Sequence, residues 1–184
     1  MSLMKSGSSI ELGFDEGTEA RFHALWTKLR DAGIQPQIAE VGGRPHLSLA
    51  VFERIDPDEN YNTLRAFAEC CPPMTIRLSA VGTFPGDTGI VFLSPVVTPE
   101  LLALHERLHK RLDAAGTPSM DYYRPGRWIP HCSVALDVPD SKLSLAIDLS
   151  RKSDVFGEAT LTDISLVSFH PAREWYTFDL TGEG

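Results

Sequence analysis

Two short motifs in the sequence place a serine two residues after a histidine: His46-Leu47-Ser48 and His131-Cys132-Ser133. In a β-strand, residues two apart point to the same face, so each motif predicts an imidazole beside a hydroxyl. Histidine can take up or deliver a proton near neutral pH, and a hydroxyl can donate to an oxygen on which negative charge develops. Two such pairs suit in-line displacement at a phosphodiester, which this arrangement could perform without a metal ion.

The motifs belong to an internal repeat with a spacing of 85 residues. Pro45–Ala50 aligns with Pro130–Ala135, and upstream, at an offset of 83, Leu29–Gly33 aligns with Leu112–Gly116. Further identities follow at the spacing of 85: Leu64 with Leu149, Thr75 with Thr160, and Phe84 with Phe169. The repeat predicts two copies of one unit, and a pseudo-twofold axis between them would bring both polar strand faces to one cleft.

Hydrophobic periodicity predicts the same element order in each copy: strand, helix, strand, helix, strand, strand. Strands are predicted over 10–14, 45–52, 74–84, 89–97, 129–138, 159–169 and 174–180. Helices are predicted over 16–32, 56–69 and 141–153, with a further helix that begins after Thr98 and stops at Gly116. We therefore expect an α+β fold with antiparallel sheets lining a central cleft and helices outside. Residues 1–9 are expected to be a flexible leader, and 10–184 a single bilobal domain.

The paired motifs, together with the stretch Tyr122–Ser133 that leads into the second one, resemble the two-histidine (2H) phosphoesterase superfamily, which includes 2′-5′ RNA ligase-like proteins and cyclic nucleotide phosphodiesterases. The resemblance extends from about Ile10 to Leu180. It implies a bilobal α+β fold and cofactor-free, metal-free chemistry on 2′,3′-cyclic phosphates or 2′-5′ linkages. It also implies His131 as general base and His46 as general acid. Many members have threonine where this chain has serine, and serine keeps the hydroxyl donor.

Five residues near the motifs are candidates for substrate binding. Tyr123 and Trp128 could stack on a base, while Arg124, Arg127 and Arg44 could contact a phosphate. The alternative is a loop folded over the edge of the cleft with exposed arginines. Phe84 and Phe169, at matching positions of the repeat, are expected in the core.

One competing motif is His105-Glu106-Arg107-Leu108-His109, which matches the H-E-x-x-H pattern of zinc proteases. The repeat aligns its two histidines with Phe22 and Trp26 of the first copy, beside a leucine stripe, as expected of residues bordering a packed helix face. The sequence has no obvious third ligand on a downstream helix. We therefore favour a packing role for these histidines and expect no metal site.

Composition limits the partners. Seventeen Lys and Arg against 25 Asp and Glu give a net charge of −8, so long nucleic acid is an unexpected partner. A single nucleotide or an RNA terminus remains compatible. Three cysteines make no disulfide framework, and no apolar run is long enough to cross a membrane, so we expect a reduced, cytoplasmic protein. The sequence gives no oligomeric state.

The hypothesis from the sequence is a metal-independent phosphoesterase that acts on a small or terminal 2′,3′-cyclic or 2′-5′-linked nucleotide. The alternatives are an RNA-end binding module, or a 2′-5′ RNA ligase-like protein, without significant hydrolytic turnover. Histidines intact in both motifs favour the enzyme, because binding alone would tolerate the loss of one imidazole.

Overall fold

The computed structural model describes residues 7–86, 89–169 and 172–183, and they form an α+β fold. Its strands are β1 Gly7–Phe14, β2 His46–Phe52, β3 Met74–Thr83, β4 Gly89–Pro95, β5 Cys132–Val138, β6 Gly157–Phe169 and β7 Arg173–Asp179. Its helices are α1 Glu16–Asp31, α2 Gln37–Glu40, α3 Pro57–Glu69, α4 Pro99–Ala114 and α5 Asp140–Arg151. The predicted fold class is confirmed.

All seven strands belong to one antiparallel sheet with the order β2-β1-β6-β3-β4-β5, and β7 also pairs with β6. The 13-residue strand β6 joins the two halves: residues 157–161 pair with β3, whereas 163–168 pair with β7. Strand β1 runs along residues 161–169 of the same strand. The strands therefore share one continuous sheet, where the sequence led us to expect more than one.

The duplication is visible in the topology. The order β2-β1-β6 in one half matches β5-β4-β3 in the other. At the centre, β3 and β6 pair so that Thr75 lies opposite Thr160, and their hydroxyl oxygens are 3.4 Å apart. These threonines are equivalent in the repeat, so the pseudo-twofold axis passes between them.

The helices begin where local chemistry satisfies their first backbone N–H groups. The Asp15 side chain accepts from the Thr18 N–H at 3.0 Å, and Thr98 accepts from the Leu101 N–H at 3.2 Å. Asp15 also accepts from the Thr160 N–H at 3.0 Å, which attaches the start of α1 to β6. The Asp15 cap therefore fixes α1 against β6, the strand that pairs with strands of both halves.

The first strand begins earlier than predicted. It starts at Gly7, and Ser8 and Ser9 are buried, because β1 pairs with β6 as far as Gly7 opposite Phe169. The part of the predicted leader over 7–9 is therefore strand, while 1–6 lie outside the described residues. Among the described residues, no helix combines the length and the apolar character needed to cross a membrane.

Candidate active site

A cavity of about 330 Å³ contains both His-x-Ser motifs. His46 and Ser48 line it from β2, Ser133 lines it from β5, and His131 lines it from the position directly before β5. The structure thus brings together the four predicted catalytic residues. Although β2 and β5 lie at opposite ends of the sheet order, the two strands approach each other, which brings the two motifs to one cavity.

The two imidazoles are held in the same way. His46 Nδ1 lies 2.8 Å from the Arg44 carbonyl oxygen, and His131 Nδ1 lies 2.7 Å from the Ile129 carbonyl oxygen. A carbonyl can only accept, so each Nδ1 carries a hydrogen and donates it to the backbone two residues earlier. In each neutral ring Nε2 is therefore the nitrogen left with a lone pair for proton transfer.

The surroundings of His131 are aromatic. Its ring makes edge contacts with Phe84 and Phe92, with centroid distances of 4.9 Å and 5.4 Å. Burial lowers the pKa of His131, the hydrogen bond to the Ile129 carbonyl opposes that effect, and the nearby His46 lowers the pKa further. The neutral imidazole, which can accept a proton, is therefore favoured here.

The surroundings of His46 are acidic. The Glu11 carboxylate on β1 lies with Oε2 3.3 Å from His46 Nδ1, and Glu11 is buried, with 6% of its surface exposed. The register of β1 and β2 causes this contact, since Glu11 lies opposite Ser48 and Gly13 lies opposite His46. Sequence reasoning missed Glu11. Its one signal was a carboxylate among the apolar residues of a predicted strand.

Of the five predicted substrate-binding residues, Tyr123 and Arg44 line the cavity. Burial, with smaller effects from Tyr122 and Glu11, raises the pKa of Tyr123 to about 12, so its hydroxyl stays protonated. The Arg44 guanidinium is engaged elsewhere: Nε lies 2.9 Å from Glu19, and Nη2 lies 2.7 Å from Asp163. Arg44 is thus tied into an ion-pair network of the protein itself.

The other three do not line the cavity. Arg124 makes a two-pronged ion pair with Asp113 at 2.9 Å and 2.7 Å, and the exposed Arg127 lies 3.5 Å from Asp121. Trp128 is buried, and its Nε1 donates to the Ser48 carbonyl at 3.0 Å. Trp128 therefore supports the strand that carries His46. The alternative of exposed arginines describes Arg127, whereas Arg124 is half-buried in its ion pair.

The H-E-x-x-H histidines lie inside the core, each with 1% of its surface exposed. Nε2 of His105 and of His109 lies 3.1 Å from the Leu49 carbonyl oxygen, and His105 Nε2 also contacts the Tyr123 carbonyl at 2.9 Å. Burial, and then the neighbouring His109, lowers the pKa of His105 to about 4. In the described part of the chain, no group of three or more His, Cys, Asp or Glu could hold a metal ion. The two histidines therefore stabilise β2 through hydrogen bonds to its backbone.

The rest of the cavity wall is largely apolar and was not foreseen. Phe84 and Phe169, expected in the core, are only half-buried and line the cavity. Arg173 and Glu174 contribute two charged residues to the wall, and aliphatic side chains from both halves form much of the rest: Ile38, Val41, Val51, Ile90, Leu136 and Val167. Such a surface suits the face of a base more than a second phosphate.

Comparisons with known proteins identify the family and the fold of the chain. A chain of Bacillus cytotoxicus named "Putative phosphoesterase" is 27% identical over 128 residues, which cover 67% of this chain and 69% of that one. The crystal structure of TT0787 from Thermus thermophilus matches with a TM-score of 0.66 and 20% identity, over 97% of this chain and 100% of that one. E. coli LigT crystallised with 3′-AMP matches with a TM-score of 0.64 and 15% identity, over 96% and 98%. The profile of the 2′-5′ RNA ligase superfamily matches residues 18–173, and the chain belongs to this family of 2H phosphoesterases.

Proposed function

We propose that this protein hydrolyses a 2′,3′-cyclic phosphate or a 2′-5′ phosphodiester at a nucleotide or RNA end, by two-histidine general acid–base catalysis without a metal ion. One observation carries the proposal: two imidazoles with the same Nδ1–H anchoring line one cavity of about 330 Å³. This leaves Nε2 of each ring to transfer a proton at one phosphorus centre.

In the proposed reaction, His131 is the base and His46 is the acid. Neutral His131 takes a proton from water, the water oxygen attacks phosphorus, and the bond to the ribose oxygen breaks. Protonated His46 delivers its Nε2 proton to that departing oxygen. The lowered pKa of His131 supports its role as the neutral partner.

Ser48 and Ser133 are proposed to hold the non-bridging phosphate oxygens. Each serine follows its histidine on the same strand face and lines the same cavity. Hydroxyl donors aimed at oxygens on which charge accumulates stabilise the transition state more than the ground state.

The substrate class is supported by the cavity and the charge of the chain. Phe84 and Phe169 offer ring surfaces in the same cavity as the histidines, as stacking on a base would need. LigT, a structural relative, was crystallised with 3′-AMP. The net charge of −8 favours a small or terminal substrate over a long nucleic-acid tract.

The test is a panel of 2′,3′-cyclic mononucleotides, cyclic-phosphate-ended RNA and 2′-5′ dinucleotides, each incubated with EDTA. We expect turnover that survives chelation and falls by on the order of a hundredfold or more in His46→Ala and in His131→Ala, because each variant loses one proton-transfer group. His23→Ala is the matched control, since His23 lies exposed on α1. Undiminished turnover in both site variants would reject the site, and tight binding without turnover in the wild type would favour an RNA-end binding module.

A further inference from the structure

We propose that Arg44 is a positioning residue for His46: its guanidinium, anchored on Asp163 across β1, fixes the backbone carbonyl to which the imidazole is hydrogen-bonded. The consequence for catalysis rests on the proposed function. The structural part, an immobile His46 ring that depends on the Arg44 side chain, can be measured without any substrate.

The registers of three neighbouring strands bring these residues together. Gly13 on β1 pairs with His46 on β2 and, on its other side, with Asp163 on β6. Arg44, two residues before His46, reaches across β1 and donates to both carboxylate oxygens of Asp163, at 3.2 Å and 2.7 Å. Its Nε also donates to Glu19 on α1 at 2.9 Å. One guanidinium thus attaches the start of β2 to β6 and to α1.

Gly13 provides the space for this attachment. A Cβ there would overlap Nη2 of Arg44 and lie 2.5 Å from Oδ1 of Asp163, so the ion pair rests directly on the backbone of β1. Asp163 is buried, with 5% of its surface exposed, and the Thr162 hydroxyl donates to its Oδ2 at 3.3 Å. A buried carboxylate that accepts two guanidinium hydrogen bonds holds the arginine in a single orientation.

The Arg44 carbonyl lies where the strand pairing ends. His46 is the first residue of β2, and its pair with Gly13 is the last in the β1–β2 register. Arg44 itself belongs to the segment between α2 and β2, and it follows Gly42 and Gly43, whose backbone is the most permissive of all residues. Because the described β1–β2 ladder stops at His46, the side chain of Arg44 provides the attachment that fixes its carbonyl.

Two acceptors lie near Nδ1 of His46, and the backbone carbonyl is the nearer. The Arg44 oxygen is 2.8 Å away, and Glu11 Oε2 is 3.3 Å away. If the carbonyl moves, the ring turns towards the carboxylate, and Nε2 on the opposite side of the ring leaves the position from which it would reach the substrate. Misplacement by about 1 Å can cost on the order of a hundredfold in rate. The Arg44 side chain therefore acts on proton transfer through the backbone.

His131 provides an internal reference. Its Nδ1 donates to the Ile129 carbonyl at 2.7 Å, and Ile129, the equivalent of Arg44 in the repeat, is 54% exposed. The two rings thus have the same type of backbone acceptor but different side chains on the residue that provides it. Loosening Arg44 should release the His46 ring and leave the His131 ring in place.

The direct test measures the motion of both imidazole rings in the whole chain by NMR relaxation, with ring signals assigned from His46→Asn and His131→Asn. In Gly13→Ala the added methyl group displaces the guanidinium, while every charged side chain is kept. The order parameter of the His46 ring should fall into the flexible range, below about 0.6, and that of His131 should stay near the rigid value of about 0.85. An unchanged His46 ring, or an equal loss of order in both rings, would overturn the proposal.

Arg44→Lys is the second variant, and it decides the question if Gly13→Ala fails to fold. A single ammonium group keeps the charge but cannot reproduce the forked arrangement on two carboxylates, so the His46 ring should again lose order. Arg124→Lys is the matched control, because Arg124 makes the same two-pronged pair with Asp113 and does not line the cavity. In this control both rings should stay rigid.

Kinetics supply the second measurement. If the protein turns over a substrate of the panel, Gly13→Ala and Arg44→Lys should lower kcat by on the order of ten- to a hundredfold and change KM little. A rise in KM with unchanged kcat would show that Arg44 binds the substrate, and it would overturn the positioning role. A His46 ring that loses order in the variants of a wild type without turnover on any substrate would leave Arg44 coupled to His46 and reject the proposed function alone.

Discussion

The two His-x-Ser motifs occupy equivalent positions of a duplicated unit, yet their neighbours differ in kind. His46 has the buried Glu11 carboxylate 3.3 Å from Nδ1, whereas His131 lies against the rings of Phe84 and Phe92. Duplication supplies two identical groups, but acid–base catalysis needs one protonated and one neutral imidazole. The difference between the two histidine environments therefore arises on adjacent strands and loops, while the motifs themselves stay alike.

A second contrast concerns the helices that follow β1 and β4. Phe22 and Trp26 on α1 are buried hydrophobic residues, and their counterparts on α4 are His105 and His109. The histidines donate to the Leu49 carbonyl on β2, an edge strand. Helix α4, which belongs to the second copy, thereby supports the strand that carries the motif of the first copy.

Among the variants that compare the two motifs, those of the two serines should have the largest effect. Ser48→Ala and Ser133→Ala should each lower kcat by on the order of a hundredfold, because each removes one of the two hydroxyl donors proposed for the charged phosphate oxygens. Equal losses are expected if both halves hold the phosphate alike. Steady-state kinetics on the best substrate measures both, with the exposed Ser79→Ala as control.

A loss confined to one serine would show that only one half contacts the charged oxygens. A rise in KM with unchanged kcat in both variants would contradict a role for the serines in the transition state.

The second contrast is tested by replacing His105 on α4 with phenylalanine, the residue at the equivalent position of α1. His105→Phe keeps a large ring but leaves the Tyr123 carbonyl without its Nε2 donor, while the Leu49 carbonyl keeps the donor from His109. Unfolding free energy should fall by about 1–3 kcal/mol, the usual cost of an unsatisfied buried polar group. Urea denaturation measures this, and Glu106→Gln, on the same helix but exposed, should change it little.

The same variant should alter the pH dependence of stability. The pKa of His105 is about 4 in the folded chain against an ordinary value of 6.5, so between these values only the unfolded chain gains the proton. Wild-type stability should therefore decline as pH falls from about 6.5 towards 4, and His105→Phe should lose part of that decline. Identical pH slopes for the two proteins would contradict a buried, neutral His105.

The smallest effect is expected from removing one of the aromatic rings that contact His131. Phe84→Ala admits water to the ring, which weakens the burial that lowers the pKa of His131. The pKa then rises towards its ordinary value, and the acidic limb of the kcat/KM profile should move to higher pH by about half a unit. Tyr122→Ala, a change at an exposed residue of the cavity wall, is the control. An acidic limb that stays in place in folded Phe84→Ala would refute this explanation.

The sequence predicted the framework because the framework is periodic. Predicted bounds for the main helices lie within a few residues of those observed, since Asp56, Thr98, Gly33 and Gly116 mark helix ends by local chemistry. Helix α2 was missed because four residues carry no periodic signal. The first strand was placed too late, because Ser8 and Ser9 are buried by pairing with β6, which is distant in sequence.

The site was only partly predictable, for a related reason. The imidazoles and hydroxyls follow from strand alternation, but Arg44 pairs with Asp163, 119 residues away, and Arg124 pairs with Asp113 across a loop. No local pattern shows that these guanidinium groups are already engaged. Glu11 likewise depends on the register between β1 and β2, which the sequence alone does not give.

The central claim is that His46 and His131 act on one phosphorus atom. A crystal structure of the protein with 3′-AMP or a nucleoside vanadate tests it most directly. We expect one phosphate or vanadate group in the cavity, with Nε2 of both rings within about 3.2 Å of its oxygens. A group that contacts only one imidazole, or that binds outside the cavity, would contradict the account.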